Sequence, residues 1–186
     1  MKIRDMNNTP KLVILVGNIA CGKSMIADLL YREYDFFCIS LDGMRRMLGA
    51  GNYIFDTRLE PIIQSTEKFM INHAFKKGLD IVIDDACNVD SFFRNKTITL
   101  AKEHGYITAI IEMPKWDLDT CVNRRLKANF NVEFDRSLWV GVYKKFKAMY
   151  NEIHNTEADF VLRLNKTDKI KERLAYLYKH LELKCN

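Results

Sequence analysis

Lys11-Leu-Val-Ile-Leu-Val-Gly17-Asn18-Ile19-Ala20-Cys21-Gly22-Lys23-Ser24 is the stretch that decides the fold. Its first half is an apolar run ending in glycine, the pattern of a strand buried on both faces and therefore central in a parallel sheet. Its second half has the spacing GxxxxGKS. Glycines let the backbone wrap an anion with its amide hydrogens pointing inward. The helix that begins at Lys23 adds partial positive charge at its N-terminus. Lys23 can reach the β- and γ-phosphates of a nucleotide, and the Ser24 hydroxyl can ligate Mg2+. Gly17, Asn18, Ile19, Ala20, Cys21, Gly22, Lys23 and Ser24 are therefore the expected cradle for a nucleoside triphosphate, with ATP and Mg2+ as its ligands.

Working outward, Lys23 to Tyr34 reads as a helix with Ile26, Leu29 and Leu30 at helical spacing. Phe36 to Ser40 reads as a second strand running out into Leu41-Asp42, and Gly43 to Leu48 as a short helix. A long helix over Leu59 to Lys77 carries an expected inward stripe of Ile62, Ile63, Thr66, Phe69, Met70, His73 and Ala74, and Gly78 ends it. Ile81 to Ile83 is a third strand, ending in Asp84-Asp85. Asp90 or Ser91 opens a helix to His104, and Gly105 stops it. Tyr106 to Met113 is a fourth strand ended by Pro114, and 117–127 a short polar helix. Asp135 to Ile153 predicts a helix with Leu138, Val142, Phe146 and Met149 inward. Phe160 to Leu162 is a fifth strand. Thr167 or Asp168 caps a last helix that buries Ile170, Leu174, Leu177 and Leu181. Strands alternating with helices imply crossover units and an α/β three-layer fold, a parallel five-stranded sheet with helices on both faces.

The 186 residues predict one domain, 1–186, and no run of apolar residues reaches the length of a membrane span. The first ten residues lack the apolar stretch of a secretion signal, so the expected address is cytoplasmic and no membrane partner is expected. Five cysteines, Cys21, Cys38, Cys87, Cys121 and Cys185, show no paired spacing and suggest neither a zinc site nor a redox motif. The formal charge of +5 is unevenly placed. Residues 1–113 hold 14 Lys/Arg against 14 Asp/Glu, whereas residues 114–186 hold 15 against 10. The C-terminal part thus presents a basic surface that suits a nucleic acid or nucleotide partner.

Ligands of parallel α/β sheets bind where strands end and helices begin. Three such ends carry functional residue types: the phosphate loop, Asp42, and the Asp84-Asp85 pair. Asp42, beside the metal and the phosphates, is the expected general base toward an acceptor hydroxyl, and with Ser24 an expected Mg2+ contact. Arg45, three residues on, can grip an acceptor phosphate in a bidentate contact. Of the adjacent pair, Asp85 comes at the strand's exit and is the one expected to face the acceptor, helped by Asn88. Arg124 and Arg125 lie on the helix after strand four, where a mobile segment could close over ATP and stabilise charge on the transferred group. His73 reads as a core-edge residue and His104 as a cation at a helix end, not as catalysts. Trp116, Trp139, Phe130, Phe134 and Tyr143 read mainly as core, with base stacking as the alternative.

Gly17–Ser24, the stretch Ile39-Ser-Leu-Asp-Gly-Met-Arg45 and the strand Ile81–Asp85 together resemble the kinase domain of bacteriophage-type polynucleotide 5′-hydroxyl kinases, over roughly residues 11–150. The resemblance implies a sheet in the order 2-3-1-4-5 with a helical lid at about 115–133. It implies that Lys23 and Ser24 hold ATP and Mg2+, that Asp42 is the general base, and that Arg45 binds the phosphate beside the acceptor hydroxyl. Asp85 would position the acceptor, and Arg124, rather than Arg125, would be the catalytic lid arginine. The family's lid tends to carry two arginines one helical turn apart, whereas here they are adjacent, with Ala128 where a second would fall. No Asp-x-Asp phosphatase motif is present, so a stand-alone kinase module is expected.

Other acceptors suit the same fold: a nucleoside, a small metabolite, a nucleotide sugar as in zeta-type toxins, or a hydroxymethylated base in DNA. A GTPase reading would use Asn165-Lys166-Thr167-Asp168 as a guanine-reading NKxD motif. That motif stands too late in the chain, and Asp84-Asp-Ala-Cys87 is not the DxxG that should follow strand three.

Overall fold

The computed structural model describes residues 9–128 and 135–183. Phe130, Phe134, Cys185 and the end of the expected lid lie outside the described residues. Five parallel strands, β1 (Lys11–Val16), β2 (Phe37–Ile39), β3 (Ile81–Asp84), β4 (Ile107–Glu112) and β5 (Phe160–Arg163), form one sheet in the order β2-β3-β1-β4-β5. Among the described residues seven helices connect and cover them: α1 (Lys23–Tyr34), α2 (Leu41–Leu48), α3 (Glu60–Lys77), α4 (Ser91–Glu103), α5 (Leu118–Ala128), α6 (Arg136–Met149) and α7 (Ile170–Leu183). Among the described residues, no helix is long and apolar enough to cross a membrane.

β1 is buried along its whole length because both its faces are covered. Leu12, Ile14 and Val16 enter a core with α3 and α4 residues such as Ile63, Ala74 and Ile98. Val13 and Leu15 enter a second core with Ile26 and Leu30 of α1 and Leu174, Leu177 and Leu181 of α7. A third, smaller cluster joins Ile19 of the phosphate loop to Cys121, Val122, Trp139 and Tyr143, so α5 and α6 pack onto the loop itself.

Several details differ from the sequence reading. On α3 the buried residues are Ile63, Ile71, Ala74 and Phe75, whereas Ile62 and Phe69 are more than half exposed and Met70 is 40% exposed. The helix meets the sheet along the 63–71–74 line, which keeps Ile63 and Ala74 of the anticipated stripe inside and turns Ile62, Phe69, Met70 and His73 toward solvent. His73 is exposed there and stacks on Phe69, with ring centroids 4.0 Å apart. On α6, Trp139 and Tyr143 fill the inward face and Leu138 points out, because the larger rings pack against the phosphate loop. α2 starts at Leu41, with the Ser40 hydroxyl accepting from the Gly43 amide as its N-cap, so Asp42 sits in the first helical turn. Asp168 accepts from the Asn165 amide, tying the turn before α7.

The loop after β3 is fastened from behind. Arg94, fully buried on α4, donates to the carbonyls of Val89 (2.9 Å) and Glu152 (2.9 Å) and to Glu157 (2.6 Å). It joins the turn Ala86–Val89 to the segment leading into β5. Arg94→Met would leave the nearly buried Glu157 carboxylate without its partner. The expected loss is about 3–5 kcal/mol of unfolding free energy, read by urea denaturation at pH 7; a loss below about 1 kcal/mol would show that the clamp is not a major support.

Candidate active site

The site gathers at the carboxyl edge of the sheet. Register brings it together: Leu15 pairs with Asp84 across β1 and β3, and Ile39 with Ile83 across β2 and β3. The phosphate loop, the start of α2 and the Asp84-Asp85 pair therefore emerge side by side.

Gly17 to Gly22 loop from β1 into α1. A methyl group on Gly17 would lie 2.6 Å from Cys21 Sγ and 2.8 Å from Met113 Cβ, so only glycine fits that turn. Gly22 takes a φ of 104° and leaves the first amides of α1 without a side-chain cap, facing the loop's hollow. Asn18 fixes the loop from outside. Its amide group donates to the Tyr143 carbonyl (3.0 Å), and its side-chain oxygen accepts from the Ile19 amide (2.7 Å). Lys23 is buried, and its ammonium donates to the carbonyls of Gly17 and Asn18, each at 2.9 Å. Cys21 is buried under the loop as an unpaired thiol.

The Ser24 hydroxyl donates to Asp84 Oδ2 at 2.7 Å. The sequence reading places Asp85 of this pair toward the acceptor and gives Asp84 no role; Asp85 does lie within electrostatic reach of Lys23, Asp42 and Arg45. Asp84, the last residue of β3, turns to the α1 side, a role that no local signal announces. The serine hydroxyl and carboxylate are hard oxygen donors, which suit Mg2+ completing its shell with phosphate oxygens and water. Asp85 accepts from the Cys87 amide at 3.0 Å, capping the turn Ala86–Val89. Asn88 is buried and donates to the Leu15 carbonyl (3.3 Å), behind the loop and not in the cleft.

Asp42 is held between two guanidinium groups. Arg45 Nη1 donates to Oδ1 at 2.7 Å and Arg125 Nη2 to Oδ2 at 3.0 Å. Burial alone would raise its carboxyl pKa, but the charges and hydrogen bonds of Arg125 and Arg45 outweigh it and hold the group below the ordinary carboxylate range. Asp42 and Ser24 were expected to share the metal; the hydroxyl's partner here is Asp84. Arg45 is itself clamped by Glu60, Nε to Oε1 at 2.8 Å and Nη2 to Oε2 at 2.7 Å. Glu60 lies fifteen residues away on α3, beyond the reach of any local pattern.

Of the adjacent arginines, Arg125 reaches the site. Its guanidinium lies over the rings of Trp139 (4.6 Å) and Tyr53 (4.7 Å) as it meets Asp42. Arg124, the one favoured by the resemblance, is exposed and stacks on Trp116 at 4.1 Å, with Lys166 over the same ring at 4.8 Å. Glu67, one heptad after Glu60 on the buried side of α3, is raised to about 7 by burial and by the neighbouring Asp85 charge. Asp85 is itself raised, chiefly by burial, against the pull of the Cys87 amide.

The profile of the family AAA_33, described as AAA domain, matches residues 12–139, well over half of the chain. Solved structures share the fold. A candidate kinase from Chloroflexus aurantiacus superposes with a TM-score of 0.69 at 14% identity, covering 95% of this chain and 98% of that one. A gluconokinase from Sinorhizobium meliloti gives 0.54 at 12% identity, covering 96% and 99%. A chain of the Pnkp1/Rnl/Hen1 RNA repair complex gives 0.56 at 16% identity, covering 76% of this chain and 45% of that one. At these identities the likeness establishes the fold alone. No curated protein matches the chain by sequence.

The raised Glu67 carboxyl has a consequence for stability. Its folded value of about 7 exceeds the unfolded value, so it lowers stability progressively as pH rises between the two, and fully above about 7. Glu67→Gln is expected to raise the thermal midpoint at pH 8 and to leave it unchanged at pH 4. Equal shifts at both pH values in calorimetric scans would contradict the assignment.

Proposed function

The chain belongs to the AAA_33 family of AAA domains, and we propose that it is an ATP- and Mg2+-dependent kinase that moves the γ-phosphate to a hydroxyl bound beside Asp42. The observation that carries this reading is convergence. An anion cradle, an oxygen pair suited to Mg2+ and an ionised carboxylate flanked by two arginines all open onto one sheet edge.

The proposed roles follow from the contacts. Loop amides and the α1 N-terminus bind the triphosphate. Lys23 exchanges its carbonyl partners for β- and γ-phosphate oxygens. Ser24 and Asp84 would hold Mg2+, which neutralises charge on those oxygens. Asp42 orients the acceptor hydroxyl and takes its proton as the new O–P bond forms and the bond from the γ-phosphorus to the bridging oxygen breaks, releasing ADP. Arg125 can turn from Asp42 to the transferred phosphoryl. This removes one of the two charges that depress the Asp42 pKa, so the carboxylate becomes a better base as the arginine engages the phosphate. Arg124 is proposed for the nucleotide's outer side, with Trp116.

Two acceptor classes fit this chemistry. A polynucleotide 5′-hydroxyl is supported by the Asp42-x-x-Arg45 spacing and the basic C-terminal part, and by analogy with the RNA repair chain that shares the fold. A small alcohol is supported by the prior engagement of Arg45 with Glu60. γ-Labelled ATP offered with a 5′-hydroxyl oligonucleotide, nucleosides and simple alcohols separates them by where the label goes. With whichever acceptor is used, Asp42→Asn should lower turnover by about two to four orders of magnitude while ATP affinity holds within about threefold. Undiminished turnover would remove Asp42 from the mechanism.

A further inference from the structure

We infer that Glu60 sets the acceptor class: by holding Arg45 it withholds that guanidinium from the acceptor subsite, and confines it to alcohols that present hydrogen-bond donors, hydroxyl or ammonium, and no phosphate beside the reacting hydroxyl. The inference rests on the proposed transfer beside Asp42.

Each nitrogen of the Arg45 fork is in use. Nε and Nη2 meet the two oxygens of Glu60 at 2.8 Å and 2.7 Å, and Nη1 meets Asp42 at 2.7 Å. Fork-to-carboxylate pairing of this kind is among the strongest hydrogen-bonded arrangements in proteins. The side chains are only 12% and 16% exposed, so water competes weakly for them. The Phe55 ring lies 5.6 Å from the guanidinium carbon. An acceptor phosphate would have to displace Glu60 and leave that largely buried carboxylate unpaired. Arg125 meets Asp42 through Nη2 and lies over Tyr53 and Trp139, with its buried Nε left without a hydrogen-bond partner among the described residues; it faces the phosphate loop's side in the proposed transfer and not the acceptor.

The surroundings are acidic. α3 presents Glu60 and Glu67 on the face that buries Ile63, Ile71 and Ala74, and Asp85 adjoins Glu67. Glu67 makes no hydrogen bond or ion pair among the described residues. Four carboxyl groups, Asp42, Glu60, Glu67 and Asp85, thus stand among two guanidinium groups, Arg45 and Arg125, with Lys23 near Asp85 and Lys68 near Glu67. An ionised carboxylate such as Asp42 accepts hydrogen bonds, so it is satisfied by ligand O–H or N–H groups and repels phosphate oxygens. Arg46, whose guanidinium carbon lies 5.8 Å from the Tyr53 ring, is the remaining arginine nearby.

Thymidine 3′-phosphate carries a phosphate beside a free 5′-hydroxyl sugar and tests the claim by calorimetric titration into protein loaded with ADP and Mg2+. Wild type is expected to bind it no tighter than the millimolar range. Glu60→Gln should free Arg45 and tighten binding tenfold or more, and the gain should vanish in Glu60→Gln/Arg45→Ala. If Glu60→Gln does not fold, Glu60→Asp, which keeps the charge but shortens its reach, should give a gain in the same direction. With γ-labelled ATP, wild type should label sorbitol or glucosamine in preference to thymidine 3′-phosphate. Micromolar binding of thymidine 3′-phosphate to wild type, its loss in Arg46→Ala, or a gain below tenfold in Glu60→Gln would overturn the inference. Those results leave the kinase reading standing; failure of ADP and Mg2+ to bind at the phosphate loop would end both.

Discussion

The register between β1 and β3 is the constraint on which the site depends. Leu15 opposite Asp84 sets the last residue of β3 beside the root of the phosphate loop, and the Ser24–Asp84 hydrogen bond follows from it. A slip of one residue would turn Asp84 to the other face of the sheet and send Ile83 into the cleft, because side chains alternate along a strand. The burial of β1 on both faces is what forbids that slip. Leu12, Ile14 and Val16 belong to one core and Val13 and Leu15 to the other, so the apolar sequence of a single strand locks the geometry of the oxygen pair above it.

The second organising feature is charge balance around Asp42. Its carboxylate is shared by an arginine from its own helix and one from α5, and the first is in turn held by a glutamate from α3. Three elements distant in sequence thus close on one ionised group. The network keeps Asp42 charged and oriented, and it ties α5, the described part of the expected lid, to the start of α2. Packing of Arg125 between Trp139 and Tyr53 gives that tie a defined geometry that charge alone would not supply.

What could be read in advance follows the range of the interactions involved. The strands, the phosphate loop and most helix boundaries rest on local signals, namely an apolar run, a glycine spacing, Gly78 and Gly105 as stops, and Asp90 and Asp135 as caps, whereas the strand order is implied by the family resemblance alone. The choice of Asp84 against Asp85 as the partner of Ser24 depends on strand register, which neither residue announces. Arg125 against Arg124 depends on which face of α5 meets Trp139, and Glu60 on a contact between two helices. The α3 stripe misled because that helix carries apolar residues on both sides, Ile62 and Phe69 outward and Ile63 and Ile71 inward. Periodicity finds a face but cannot say which of two the sheet will cover.

A crystal structure with a non-hydrolysable ATP analogue and Mg2+ tests the central claim most directly. The account predicts the terminal phosphate within hydrogen-bond distance of Lys23 Nζ, the metal on Ser24 and Asp84, and Arg125 turned from Asp42 toward that phosphate. A triphosphate seated elsewhere, or one in the loop whose terminal phosphorus points away from an Asp42 still bound to Arg125, would contradict it.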